Sequence, residues 1–112
     1  PRVIGVQNAK YWIFTAKKFK GKETIDYGFA INCVKYSNLF DEGILIAKDI
    51  LKNAPIAVKS SKKAINMSLF EKNRDQCLKV ERNNYNIALN TKDRDEALDA
   101  FLNKRKPKWN NE

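Results

Sequence analysis

Along most of this chain apolar residues recur every three to four positions, the spacing of a helix with one buried face. Trp12, Ile13 and Ala16 fall on one side of a first helix that Asn8 can cap; it runs through about Phe19 and Gly21 ends it. A second, short helix is predicted over about Lys22 to Tyr27, with Gly28 placed as its C-terminal cap. Ile31 to Tyr36, bounded by Ser37-Asn38, is the single plausible strand. Leu39, Ile44, Ala47, Ile50 and Leu51 then repeat at helical spacing over about Leu39 to Lys52. Pro55 stands where a helix tolerates proline, in its first turn, and that helix continues to about Met67. The polar stretch Glu71-Lys72-Asn73-Arg74 precedes a helix to about Leu89, and Asn90-Thr91-Lys92 turns the chain into a last one. The predicted fold class is mostly α with one short strand, with no internal repeat and no Pro- or Gly-rich linker.

The last helix carries the densest chemistry. Asp93 and Glu96 stand at capping-box spacing, so each is expected to satisfy backbone N–H groups left open at the helix start. Ala97, Leu98, Phe101 and Leu102 form an apolar stripe. Lys104, Arg105, Lys106 and Lys108 then gather four positive charges beside Pro107, which stops the helix, and Trp109 closes the segment. An apolar face next to clustered positive charge suits a ligand with both phosphate and an aromatic ring. The alternative is a solvated basic end.

Composition narrows the picture. The 112 residues amount to about one small domain. With 43% hydrophobic residues the chain can bury a modest core, although a domain of this size is only marginally self-sufficient. A net charge of +9 attracts phosphates, nucleic acid or acidic lipid, or reflects a Lys- and Asn-rich habit with no specific partner. No apolar run is long enough to span a bilayer, so no membrane partner is expected. No signal-peptide pattern opens the chain, but it begins at Pro1 rather than Met; we therefore expect a piece of a longer protein and read nothing about targeting from this. Cys33 and Cys77 lie far apart without metal-ligand or redox spacing and read as two packed free thiols in a reducing compartment.

Several chemistries drop out. The chain has no histidine, which removes Ser–His–Asp and Cys–His catalysis and histidine metal sites within it. Its four glycines are isolated and form no phosphate loop. The acidic run Asp93, Asp95, Glu96 and Asp99 opens a helix, where acids complement the dipole, and is read as capping rather than a metal site; Asp41-Glu42 is read the same way. Glu23 and Asp26 could pair as acid and base, but nothing else in that turn would hold a substrate. Two basic constellations remain. Lys59, Lys62 and Lys63 share one helix face. Lys17, Lys18, Lys20 and Lys22 surround Phe19 just after Tyr11, Trp12 and Phe14, a mixture that can bind single-stranded nucleic acid. Helical spacing turns several of those aromatics inward, so we read them as core with a solvated lysine rim.

The segment from Thr91 to Trp109 resembles the C-terminal signature of the crotonase superfamily, the enoyl-CoA hydratases and isomerases: a Thr/Ser-x-Asp-Arg-x-Glu-Gly start, then Ala-Phe, then Glu-Lys-Arg, Pro and an aromatic residue. The likeness extends through Pro1-Arg2-Val3-Ile4-Gly5, Ala9-Lys10, Ile13-Phe14-Thr15-Ala16, Gly21-Lys22-Glu23, Tyr27-Gly28-Phe29-Ala30 and Val34. It continues through Asn53-Ala54-Pro55-Ile56-Ala57-Val58-Lys59 and Lys62-Lys63-Ala64-Ile65-Asn66. Ala97 departs from the family's usual Gly, harmlessly inside a helix. Ala16, Gly21-Lys22-Glu23 and Thr91-Lys92-Asp93-Arg94 lean toward the methylglutaconyl-CoA hydratase branch, whose members are also described as binding AU-rich RNA.

The resemblance implies the C-terminal half of a β/α spiral fold, with residues 1–54 ending the core and 55–112 forming helices for oligomerisation, as a trimer or dimer of trimers, and for CoA contact. It implies an acyl-CoA substrate, hydration of a 2-enoyl-CoA or shift of its double bond, and no cofactor, the CoA thioester being the substrate. The family's oxyanion-hole amides and catalytic glutamates lie upstream of its Pro-Arg-x-Ile-Gly stretch, so no catalytic residue is expected here and this chain alone is expected to be inactive. Carried over residue by residue, Phe101 packs near the acyl or pantetheine portion and Lys104 pairs with phosphate at the adenosine end; Arg105 and Lys106 are supporting charges at best. A mitochondrial or cytoplasmic setting follows from the family. The alternatives are an RNA-binding hydratase homologue, whose lysine-rich RNA helix would lie upstream, and a non-catalytic assembly module.

Overall fold

The computed structural model describes all 112 residues, Pro1–Glu112, in two compact units, Pro1–Gly43 and Ile44–Glu112. In the first unit, α1 spans Gly5–Thr15, and Asn8 does not cap it. Its side chain donates back to the Ile4 carbonyl at 2.9 Å from inside the helix. The helix stops at Ala16, whose φ of 49° is left-handed, several residues short of the predicted Phe19. Breaking there lets the chain reverse and lay Phe19 on Trp12, ring centroids 4.4 Å apart. Tyr27 meets both rings edge-on, at 5.2 and 5.5 Å, an arrangement their quadrupoles favour.

The short helix α2, Glu23–Asp26, sits where the pattern placed it. Gly28 follows at φ 70°, a conformation glycine adopts without strain, and its N–H reaches the Ile25 carbonyl at 2.9 Å. Gly21 does not end α1; a Cβ at this position would lie 2.8 Å from the Cys33 sulfur, so its role is to make room. The predicted strand over 31–36 is absent. That stretch is irregular and enters a 3₁₀ turn, Tyr36–Asn38. A strand needs a neighbour to complete its ladder, and this chain supplies none. Instead Asn32 organises the segment, accepting from the Cys33 N–H at 2.7 Å and donating to Glu42 at 2.6 Å.

Helix α3, Leu39–Ile50, leads into the second unit. There α4, Pro55–Ser68, and α5, Arg74–Leu89, pack along each other, and α6, Lys92–Leu102, follows. Each helix start has a local cause. Pro55 occupies the first turn of α4. The Asn73 side chain accepts from the N–H groups of Asp75 and Gln76. The Thr91 hydroxyl accepts from Arg94 N–H at 3.2 Å.

Only Ala9 and Ala100 are buried apolar residues, at 5% and 2% exposure. The accessible surface is 9735 Å², whereas a compact chain of 13.0 kDa exposes about 6,300 Å². Treating the two units as separately compact pieces of about 5 and 8 kDa raises that figure only to about 7,600 Å². Most helices therefore present an apolar face that nothing in this chain covers.

Candidate functional site at the end of the last helix

Thr91, not Asp93, caps α6, which puts Asp93 inside the first turn and displaces the expected capping box: Arg94 holds the third helical position, where the box needs Glu or Gln. Asp93 and Glu96 instead grip the segment that follows the helix. Asp93 is fully buried. Its two carboxylate oxygens accept from the N–H groups of Asn110 and Asn111, at 2.7 and 3.0 Å. The Asp93 N–H in turn donates to the Glu112 carbonyl at 3.1 Å. Glu96 accepts from Lys108 N–H at 2.6 Å. The tail thus runs back along α6 from its C-terminal end to its N-terminal end. Trp109 fastens it further, donating from Nε1 to the Lys52 carbonyl just beyond α3, at 3.1 Å.

The reversal that starts this return is a Schellman turn. Lys104 N–H bonds to the Phe101 carbonyl and Arg105 N–H to the Ala100 carbonyl, at 3.2 and 3.0 Å. Its left-handed position, usually glycine, is Lys104, at φ 50°. A side chain there is strained by about 1 kcal/mol or more, and the contacts of the following residue hold it in place. Arg105 reaches Glu96 with two parallel hydrogen bonds of 2.6 and 2.8 Å and also bonds Asp99. This pairing, with the Lys108 N–H contact second, lowers the Glu96 pKa to about 2. The same carboxylates raise Arg105 above its ordinary value, Glu96 first and Asp99 second. At the other end of the tail, the hydrogen bond that Lys92 donates to the Glu112 carboxylate raises the Lys92 pKa.

The four cations therefore divide. Arg105 is held by two carboxylates, while Lys104, Lys106 and Lys108 form no salt bridge. Phe101 and Leu102, 82% and 77% exposed, stand beside Lys104 at the same helix end. The structure thus brings the two predicted contact residues, Phe101 and Lys104, together at one exposed corner. What it adds is the fold-back that sets their backbone. The signal for it, acids three residues apart facing a later basic run, was present but pointed equally well to capping.

The other predicted features resolve in structural terms. Glu23 accepts from Lys20 N–H at 2.7 Å at the start of α2, and Glu42 holds Asn32. Lys59, Lys62 and Lys63 are all exposed. Trp12 and Phe19 stack on each other, with Lys17 over the Phe19 ring at 5.3 Å, while Phe14 points outward at 78% exposure. Cys33 and Cys77 are free and half-buried. No group of three or more His, Cys, Asp or Glu residues is placed to hold a metal, and no helix is long and apolar enough to cross a membrane. One feature had no signal in the pattern: a groove of about 450 Å³ between α4 and α5, lined by Ala57, Ser60, Ala64, Cys77, Asn84 and Ala88. Asn84, 5% exposed, donates to the Val80 carbonyl at 2.8 Å, but its Oδ1 has no partner.

Comparison with known proteins agrees with this architecture. The chain is 37% identical over 105 residues to the short-chain-enoyl-CoA hydratase of Clostridium acetobutylicum, which covers 94% of this chain and 40% of that protein. It is 33% identical over 116 residues to the mitochondrial methylglutaconyl-CoA hydratase of Homo sapiens, covering 100% of this chain and 34% of the relative. The crystal structure of an enoyl-CoA hydratase from Bacillus anthracis superposes with a TM-score of 0.90 at 37% identity, over 100% of this chain and 43% of that one. The chain thus spans well under half the length of these relatives. A family model described as enoyl-CoA hydratase/isomerase matches residues 1–112, every element from α1 to the folded-back tail, and the chain belongs to that family.

Proposed function

We propose that this chain is the C-terminal portion of an enoyl-CoA hydratase that adds water across the double bond of a 2-enoyl-CoA. Residues 1–54 close the catalytic core, and residues 55–112 supply subunit assembly and contacts to CoA. Residues outside this chain stabilise the thioester enolate, the large electrostatic term in such chemistry, and move the protons. The reading rests on one observation: Lys104, unpaired and exposed, stands next to Phe101 and Leu102 on a helix end fixed by the returning tail. That combination suits a ligand with phosphate at one end and an apolar arm at the other. The motif residues that lean toward the methylglutaconyl branch include Thr91 and Asp93, whose work here is capping and tail docking. They say little about the acyl group, so the proposal stays at enoyl-CoA. Mitochondrial relatives from plant and animal and a bacterial one fit a mitochondrial or cytoplasmic setting.

The test is Lys104→Ala in the full-length enzyme. A phosphate contact made equally in ground and transition states raises KM when removed and leaves kcat nearly unchanged. A partly exposed contact of this kind should shift KM by roughly five- to thirty-fold at low salt, less at high salt. Lys108→Ala is the control, since its backbone N–H, not its side chain, holds the tail. An unchanged KM in Lys104→Ala would remove the CoA assignment and leave the segment a solvated basic end. The assembly role is supported by the uncovered apolar helix faces. Sedimentation of this chain at increasing concentration should show self-association, and a well-folded monomer throughout would count against it.

A further inference from the structure

The acids of α6 point to a role that the CoA reading does not include. We propose that Glu96 is a positioning residue for the CoA-side contact: by holding Arg105 and the Lys108 N–H together, it fixes the left-handed turn at Lys104 and leaves that lysine as the cation offered to phosphate. The inference rests on the function proposed above and deepens it.

Three observations carry it. First, Lys104 occupies a conformation that side chains other than glycine rarely adopt, at φ 50°. Something must hold it there, and the residue immediately following, Arg105, is tied through two hydrogen bonds to Glu96 and a further one to Asp99. Second, Glu96 reaches past the turn to accept from Lys108 N–H at 2.6 Å, so one carboxylate spans both sides of Pro107. Its three hydrogen bonds come from Arg105 and Lys108, on the turn and the tail rather than on its own helix, unlike those of a simple helix-start acid. Third, charge is sorted: among neighbouring cations only Arg105 is neutralised, although an arginine is the better partner for phosphate by geometry. An Arg105 released from Glu96 would compete with Lys104 for the same anion in a different geometry. Glu96 thus acts through Lys104 and need not touch the ligand.

The experiment compares Lys104→Ala, Glu96→Gln and the double variant in the full-length enzyme, with steady-state kinetics on a short enoyl-CoA and amide hydrogen exchange of the tail. Glu96→Gln keeps the shape of the side chain while removing its charge. We expect it to raise KM roughly three- to ten-fold with kcat nearly unchanged and to speed exchange at Arg105 and Lys108. The double variant should be no worse in KM than Lys104→Ala alone, because the carboxylate works through the lysine. Should Glu96→Gln misfold, Arg105→Gln tests the same link: it cuts the bidentate pair but spares the Lys108 contact, and a smaller KM rise is expected. If Lys104→Ala raises KM while Glu96→Gln leaves it unchanged, or if the two effects simply add, the positioning role is overturned and the CoA reading stands. If Lys104→Ala itself has no effect on KM, both fall.

Discussion

The α6 fold-back and the α4–α5 pair lie in the same compact unit and hold together by opposite means. Along α6, very little apolar surface is buried: Ala100 is the only buried apolar residue in that helix, and Phe101 and Leu102 stand in solvent. The tail is kept in place by polar contacts instead, with carboxylates of Asp93 and Glu96 accepting from backbone N–H groups and the Trp109 indole reaching Lys52. Hydrogen bonds to an ionised acceptor are about twice as strong as neutral ones, which is how eight residues without regular structure stay ordered. The α4–α5 pair relies on side-chain packing, and its packing is incomplete. A groove remains between small residues, and the Asn84 Oδ1 facing inward has no donor. A polar network can finish itself within a short segment, because its donors and acceptors are local. An apolar face needs a second surface, and this chain does not provide enough of it.

That contrast can be broken experimentally, and the largest effect is expected at Asp93. Asp93→Ala leaves the Asn110 and Asn111 N–H groups without their acceptor, so the free energy of opening the tail should fall by about 2 to 4 kcal/mol. Residue-specific hydrogen exchange would read this as lost protection at Asn110 and Asn111, with α4 and α5 little changed. A uniform loss across the unit would mean the tail is part of the common core and not a separate polar fastening.

Acid should undo the same region next. Because the folded state lowers the Glu96 pKa to about 2 from an ordinary 4.5, the Glu96 contribution is fully present above about pH 4.5 and is withdrawn as the pH falls through about 2. Following the Glu96 carboxyl carbon by NMR should give a midpoint near the lower value. A midpoint near 4.5 would mean that the pair with Arg105 does not persist in solution.

Trp109→Phe keeps a ring but removes the N–H that meets Lys52, and should weaken tail docking by about 0.5 to 1.5 kcal/mol. The smallest change is expected on the other side of the comparison. Asn84→Ala removes an unpartnered acceptor, leaves the Val80 carbonyl its helical bond, and gains helix propensity. The groove is already open, so no closed cavity forms, and stability measured by urea unfolding should move by less than about 0.5 kcal/mol. A cost as large as that of Asp93→Ala would show that Asn84 has a donor after all.

The helices were legible in the sequence because their causes are local. Pro55 at a first turn, Gly28 in a left-handed cap and the apolar periodicity of α3 to α6 act within a few residues of where they stand. The same is true of the exposed corner built from Phe101 and Lys104, which are neighbours on one helix end. Three things depended on tertiary structure. The stretch from Ile31 to Tyr36 has strand composition, but a strand is a property of a pair, and no second strand is present to bond with it. Asp93 and Glu96 carry the spacing of a cap, yet which N–H groups they satisfy was decided by a tail returning from as far as 18 residues away, at Asn111. The sorting of charge that spends Arg105 and spares Lys104 follows from that return, because only a folded-back chain brings an arginine to an acid nine positions earlier. Periodicity determined where the helices from Leu39 onward lie, whereas the bounds of α1 and the excess of uncovered apolar face emerged only from the fold. Which carboxylate meets which amide is a matter of distance in space, and only the tertiary structure could decide it.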